Sequence, residues 1–596
     1  MNETGRHSCR KPPLVFGTRC RGVDSLRARQ LSSRFALLWL ALALILPGCI
    51  PATPPAARPE SQSRPSTPKH VVAAILGDPF TVSTAVNQSG AVNVPGINEV
   101  EELLNAGLGT IDEHGVIAPR LAEDIPSLEN GRWRLFADGR METTWVLRPD
   151  TTWHDGTPFT SGDLLFTIAV GQDKALPWFG HVGYGYMESV EAPDSRTVVV
   201  KWKEPYIGAD GTFTRFARQL PKHLLEKDYL EAKETFSQLP YWGGEFVGTG
   251  AFRLLQWERG SHMVMAANDR YPMGRPKVDE IEVRFLPDAN AVIANMLAGA
   301  VDLSLGGRVS LEQSMIARDQ WSNGKLDVGY RNWVVTYPQM TDPTPAIVLD
   351  ARFRRALLHA VDRQEIADTL QGGLVPVAHS LVNPSEREYS AIERAIVRYE
   401  YDPRRAGQMI EELGYGKGAD GMFLDRSGQR LAVEVFTTAE NDMNFRSTLS
   451  EVDHWQRIGV AAETVVVPPQ RSFDLAYVRS FSAFQTLQQP NDLDGLFRWH
   501  SSQAPLPENN FAGRNMNRYR NADYDRMIES YFVSVPWGDR MEALARIIRH
   551  QTEQMILLGM VYTTFPLLMN DRLLNLAAPR ATGSNTAWNG HLWDVR

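Results

Sequence analysis

The chain has 596 residues, with 62 Lys or Arg against 70 Asp or Glu, a net charge of -8 and 43% hydrophobic residues. That length permits large, well-buried cores and at least two domains, while the acidic balance argues against nucleic acid or a polybasic membrane surface as partner. All three cysteines, Cys9, Cys20 and Cys49, lie near the start, so a chain beginning at Cys49 has no internal disulfide and must be held by core burial.

In chain order, Arg27, Arg29 and Arg34 precede an apolar run from Phe35 to Leu46. This run is too short to span a bilayer comfortably and has the length of a secretory h-region, which predicts export and makes 1–48 a signal peptide. It ends at Leu46-Pro47-Gly48-Cys49, which resembles a lipoprotein lipobox and makes Cys49 the expected lipidation site. Acylation would tether the chain to a membrane at about 0.8 kcal/mol per buried methylene. Eight Lys or Arg and only two Asp or Glu precede Cys49, so the remainder carries about -14. Ile50 to Lys69 is rich in Pro, Ser and Ala and predicts an extended spacer, making 49–69 a lipidated tether. No second apolar run reaches spanning length.

His70 to Leu76 then reads as a buried strand. Strand patterns recur at Thr143 to Arg148, Thr197 to Trp202, Ile281 to Leu286, Leu431 to Phe436 and Val460 to Val467. Between them, Thr160 with Asp163 suggests a capping box. Asp350 to Leu370 reads as a helix behind an Asp350 N-cap. Asp402-Pro403 through Leu413-Gly414 combines an N-cap, Pro at the first turn and a closing Gly. The alternation predicts a mixed α/β protein.

Motifs that suggest chemistry have structural readings. His154-Asp155-Gly156 before Thr157-Pro158 is turn chemistry, and Gly248-Thr-Gly250 lacks the Lys and the following helix of a phosphate loop. There is no G-x-S-x-G, no H-E-x-x-H and no thiol after Cys49, so no enzyme, metal or cofactor is expected. The rivals are a secreted hydrolase using carboxylates such as Asp492 and Asp494, and a sensory receptor.

From Ala118-Pro-Arg-Leu-Ala-Glu-Asp124 onward the residues resemble the extracellular solute-binding proteins of the peptide and nickel type, family 5, which serve ABC importers. Leu147 to Asp163 is similar to the family's strand followed by F-x-D-G-x-P-x-T-A-x-D, and Gly248-Thr-Gly-Ala-Phe252 to G-T-G-P-Y. Asn268 to Tyr271 and Gly299 to Asp302 resemble N-x-x-Y and G-x-x-D; Arg352 to Asp362 and Tyr401 to Tyr415 resemble the family's two later helical motifs. The resemblance implies a periplasmic-binding-protein-like two-lobe clamp of type II, cluster C, with a subdomain inserted in lobe one. Lobe one is expected at 70–105, 240–335 and 563–596, the inserted subdomain at 106–239 and lobe two at 336–562, with crossings near Trp333 to Gln339 and Tyr562 to Pro566. It implies a monomer that binds an oligopeptide or similar polar solute and delivers it to an ABC permease in the membrane.

The ligand must lie in the cleft, where aromatic surfaces and a few polar groups do the binding. Trp499 is the leading candidate, with Phe484, Arg498 and Tyr337 nearby in lobe two and its crossing. In peptide-binding members an Asp in W-x-A-D-Y-x-x-P pairs with the ligand's amino terminus; matching on Pro490 puts Gln488 there, with Asp492 or Asp494 as alternatives in a shifted register. From the lobe-one side, Tyr184 and Trp242 are expected to face the ligand, with Trp178, Tyr186 and Tyr241 close by.

Overall fold

The computed structural model describes residues 68–87 and 94–596. The segments expected to be a signal peptide and a lipidated tether, Cys49 included, lie almost wholly outside the described residues. The described residues fall in one compact unit.

Its backbone is a ten-stranded mixed sheet, built from β1 (His70–Leu76), β2 (Phe252–Glu258), β3 (His262–Ala267), β4 (Glu280–Leu286), β5 (Leu303–Ser304), β6 (Gly324–Pro338), β7 (Ala432–Thr437), β8 (Ala461–Val466), β9 (Phe484–Pro490) and β10 (Leu558–Asn570). The strand order is β8-β7-β9-β6-β10-β5-β1-β4-β3-β2. β1 lies parallel between β4 and β5, and β7 lies parallel between β8 and β9. Between these two groups run the long antiparallel partners β6 and β10, of 15 and 13 residues. The sheet therefore has two halves joined by two continuous strands, and the fold is a two-lobed α/β clamp.

Residue pattern accounts for the pairing. Along β4, Ile281, Val283 and Phe285 point into the core while their neighbours are partly open, the period-2 signature of a strand with one buried face. In β1, Val71, Ala73, Ala74 and Ile75 are all buried, as expected for a strand covered on both faces. A separate antiparallel sheet takes Trp133–Leu135, Met141–Val146, Thr197–Trp202 and Met187–Glu191 in that spatial order. Trp145 and Trp202 fill its core, with Trp145 edge-on to Phe213 at 5.4 Å.

The capping signals are also visible. Thr160 N donates to Asp163 Oδ2 at 2.9 Å at the start of the helix Ser161–Gln172. Asp402 accepts from Arg405 N at 2.9 Å ahead of Pro403–Glu412, and Gly414 follows with φ 96°. One expectation needs correction: Asp350 to Leu370 is two helices, Ala351–Ala360 and Arg363–Gln371. The break falls where Asp362 caps the second helix, accepting from Glu365 N at 3.0 Å. That bond satisfies an orphan backbone donor and makes a new helix start.

Candidate functional site

Two cavities of about 350 and 420 Å³ adjoin, sharing Arg215 and Gly583 in their walls. Arg215 stands on the π-helical turn Thr212–Phe216 and pairs with Asp494, which follows β9. With 32% and 63% of their side chains exposed, these two charges form a partly wet bridge across the cleft.

The larger cavity has an aromatic wall from Trp178, Tyr184, Phe216, Tyr241 and Trp242. Its rings are held from behind: Trp242 Nε1 donates to Phe236 O at 2.6 Å and Tyr241 Oη to Val247 O at 3.0 Å. Two titratable groups, Glu99 and Arg331, line the same space. Glu99, on the helix Ile97–Leu104, is 3% exposed, and burial pushes its pKa up although Arg331 opposes the shift. Arg331 is the extra residue of a β-bulge in β6, between the pairs Tyr330↔Thr564 and Asn332↔Thr563. Bulges re-aim side chains, and here the guanidinium lies over the Phe565 ring at 4.2 Å and donates to Ser584 O at 3.3 Å. Behind this wall Glu102 is paired with Arg120 and Arg218, which together hold its carboxyl below the usual range against the effect of burial.

The smaller cavity is dominated by carboxylates. Asp210, Glu386, Glu388, Asp492 and Asp494 line it, opposed by Arg215, Arg387 and Arg540. Asp492 is paired with Arg498 at 2.6 Å. Glu386 is 8% exposed, and burial, reinforced by Glu388, pushes its pKa up to about 8. Its Oε1 accepts from Asn383 Nδ2 at 2.8 Å, Asn491 Nδ2 at 3.2 Å and Thr582 Oγ1 at 3.1 Å.

The residues singled out from sequence divide into three groups. Asp492 and Asp494 line the smaller cavity, and Tyr184 and Trp242 the larger. Gln488 and Arg498 lie beside the cleft with their polar groups engaged. Gln488 donates from Nε2 to Thr563 Oγ1 at 2.8 Å and accepts from Asn441 Nδ2 at 3.0 Å, while Arg498 donates from Nε to Gly495 O at 2.8 Å. Trp499, Tyr337 and Phe484 are 1%, 1% and 0% exposed and line neither cavity. They belong to the core, where Phe484 packs against Trp455 at 5.1 Å. Tyr186 stacks on Tyr206 at 4.6 Å outside both cavities.

Sequence reasoning did not single out Glu99, Arg215, Arg331 or Glu386. Arg331 stands two residues before the buried run Trp333–Pro338, in a strand half that also carries Lys325 and Asp327, so no local pattern marks it.

Residues 117–517 match the profile of the bacterial extracellular solute-binding proteins, family 5. The chain belongs to that family and is a binding protein, not an enzyme. Among curated proteins it is 24% identical over 524 residues to the oligopeptide-binding protein AppA of Bacillus subtilis, covering 85% of this chain and 88% of that one. The structure of that protein with a nonapeptide superposes with a TM-score of 0.62 at 20% identity, over 89% of this chain and 100% of the other. HbpA2 from Haemophilus parasuis gives 0.71 at 20% identity, over 88% and 100%. NikZ from Campylobacter jejuni with Ni(L-His) gives 0.65 at 21% identity, over 89% and 100%.

Proposed function

We propose that this protein captures an oligopeptide between its two lobes and presents it to an ABC permease, held at the membrane through an acylated Cys49 and acting as a monomer. The observation that carries this reading is the pair of adjoining cavities of about 420 and 350 Å³, one walled by aromatics and the other by charges, meeting at the Arg215–Asp494 bridge. An aromatic wall suits varied side chains, because rigid rings give contact area at low entropic cost. Fixed charges suit the ends and amides of a peptide backbone. The lobe boundaries proposed from sequence, 70–105 with 240–335 and 563–596 for lobe one, 106–239 for the subdomain and 336–562 for lobe two, are supported by strand placement. β1 to β5 fall in the first set, β7 to β9 in the last, and the four-stranded sheet within the subdomain. A ligand touching both lobes favours the closed form by its differential affinity for that form.

Native mass spectrometry of the gently purified protein tests the reading: a distribution of peptide masses released from the cleft is expected. A single sugar or metal-chelate mass would replace the substrate class while leaving the binding protein in place.

A further inference from the structure

Resting on the peptide reading, the geometry of the smaller cavity assigns a role that Gln488 cannot fill: we propose that Glu386 is the acceptor for a ligand ammonium group. The family resemblance puts a carboxylate at the Gln488 position, but Gln488 is an amide, already bonded to Thr563 and Asn441. The two neighbouring carboxylates are also taken. Asp492 pairs with Arg498, and Asp494 with Arg215.

Glu386 differs from both. It lies in the loop after Asn383-Pro384, where Asn383 Oδ1 accepts from Ser385 N at 2.8 Å and fixes the turn. Its side-chain hydrogen-bond partners are two amides and the Thr582 hydroxyl, the Thr582 backbone also bonds to it, none of these is a cation, and the three side-chain bonds converge on one oxygen, Oε1. The partners come from both sides of the cleft: Asn383 and Asn491 belong to the β7 to β9 side, while Thr582 follows β10. A buried carboxylate without a cation is costly, so the group keeps its proton instead, and a ligand cation would stabilise its ionised form upon binding. The arginines in the wall are otherwise employed: Arg215 pairs with Asp494, and Arg387 and Arg540 lie over the Trp537 ring at 3.9 and 5.3 Å. Among the described residues no group of three or more His, Cys, Asp or Glu is placed to hold a metal ion, which favours an organic cation. On a peptide, that cation is the amino terminus or a lysine side chain.

Burial holds the Glu386 pKa near 8 in the ligand-free site, so an ammonium must displace a proton from it. Binding then strengthens as pH rises toward that value, by up to about tenfold per pH unit. The other groups facing the cavity or Glu386 are Glu388, Asp492, Asp494, Asp210, Glu129, His114, Tyr531, Tyr562, Arg215, Arg387 and Arg540, and a Glu386 variant separates its titration from theirs.

The test uses the purified protein with three pools of short peptides built from Gly, Ala, Ser, Leu and Phe. One pool has free amino termini, one is N-acetylated, and one is N-acetylated with a single lysine. Retention is read by mass spectrometry, with melting temperatures confirming that the Glu386→Gln protein is folded. Wild type is expected to retain an ammonium-bearing pool at least about tenfold over the acetylated lysine-free pool. Which ammonium-bearing pool is retained identifies the source of the cation. Glu386→Gln should lose that preference, and wild-type affinity should rise from about pH 5.5 to about pH 7.5 with a slope that the variant lacks. Equal retention of all pools by wild type overturns the assignment and leaves the peptide reading standing, as does an unchanged preference or slope in Glu386→Gln. Retention of no pool by wild type overturns the peptide reading, and the assignment with it.

Discussion

Trp499 and Glu451 show how burial sets the role of a single side chain. A tryptophan that is 1% exposed and lines neither cavity contributes through packing. Trp499→Ala should therefore cost about 3 to 5 kcal/mol of stability in denaturant unfolding, while peptide affinity measured by calorimetry stays within about twofold. A large affinity loss at unchanged stability would place the ring on the ligand. Glu451 is fully buried under β6 and β9, accepting from Thr336 Oγ1 at 2.6 Å and Thr486 Oγ1 at 3.3 Å. Burial raises its pKa to about 8. A carboxyl with a raised folded-state pKa keeps its proton on folding, so its contribution is complete below the unfolded pKa, near 4.3, and is lost as pH rises through 8. Between about pH 5 and pH 8.5 the wild-type melting temperature should fall more steeply than that of Glu451→Gln, whose amide preserves the shape and carries no charge. Parallel curves for the two proteins would show that Glu451 titrates normally.

At the scale of elements, the loop carrying Gly248-Thr249-Gly250 shows what a motif can do without chemistry. Cβ atoms at Gly248 and Gly250 would sit 2.0 and 2.1 Å from the carbonyl oxygens of Leu104 and Leu103, so only glycine lets this loop lie against the end of the helix Ile97–Leu104. His154 locks the arrangement from the other side. Its Nδ1 accepts from Gly248 N at 3.2 Å and its Nε2 meets Gly250 O at 3.1 Å, and burial lowers its pKa to about 4, which keeps it neutral. Gly250→Ala must push the loop off the helix that carries Glu99, and it should cost about 1 to 3 kcal/mol of stability and weaken ligand binding together. A variant with wild-type stability would mean the loop yields freely. Element-level features were largely legible in sequence. Thr197–Trp202 was readable from its alternation, and Pro403–Glu412 from Asp402 and Gly414, because strand period and capping are local. The break at Asp362 was not, since Phe353, Leu357, Val361, Ile366 and Leu370 keep an apolar spacing across it. The cavity walls were less legible still. Arg215, Glu386, Asp494 and Thr582 come from four segments far apart in sequence, and no local pattern brings them together.

For the whole molecule, the question is what holds the two lobes together when no ligand bridges them. Among the described residues, polar contacts between the lobes include the Arg215–Asp494 pair, the Thr582 to Glu386 hydrogen bond and Ile207 N donating to Phe532 O at 3.2 Å, and, next to the two crossing strands, Tyr330 Oη with Ser385 Oγ at 2.7 Å, Gln488 Nε2 to Thr563 Oγ1 at 2.8 Å and Thr564 N to Gln371 Oε1 at 2.8 Å. Arg215 and Asp494 remain 32% and 63% exposed, so their pair contributes about 0 to 1 kcal/mol after screening by water and salt. Shifting a two-state clamp from almost fully open to almost fully closed takes about 5.5 kcal/mol of differential binding. The bridge cannot supply that, and the ligand must. Asp494→Asn is therefore expected to change peptide affinity by less than about fivefold. The described residues contain no cysteine, so a pair introduced on the two lobes of a variant whose three leading cysteines are replaced can carry a donor and an acceptor dye. Energy transfer between them should rise sharply when peptide is added, to the same degree in wild type and in Asp494→Asn. High transfer in wild type without peptide that falls in Asp494→Asn would show that the ion pair, and not the ligand, drives closure.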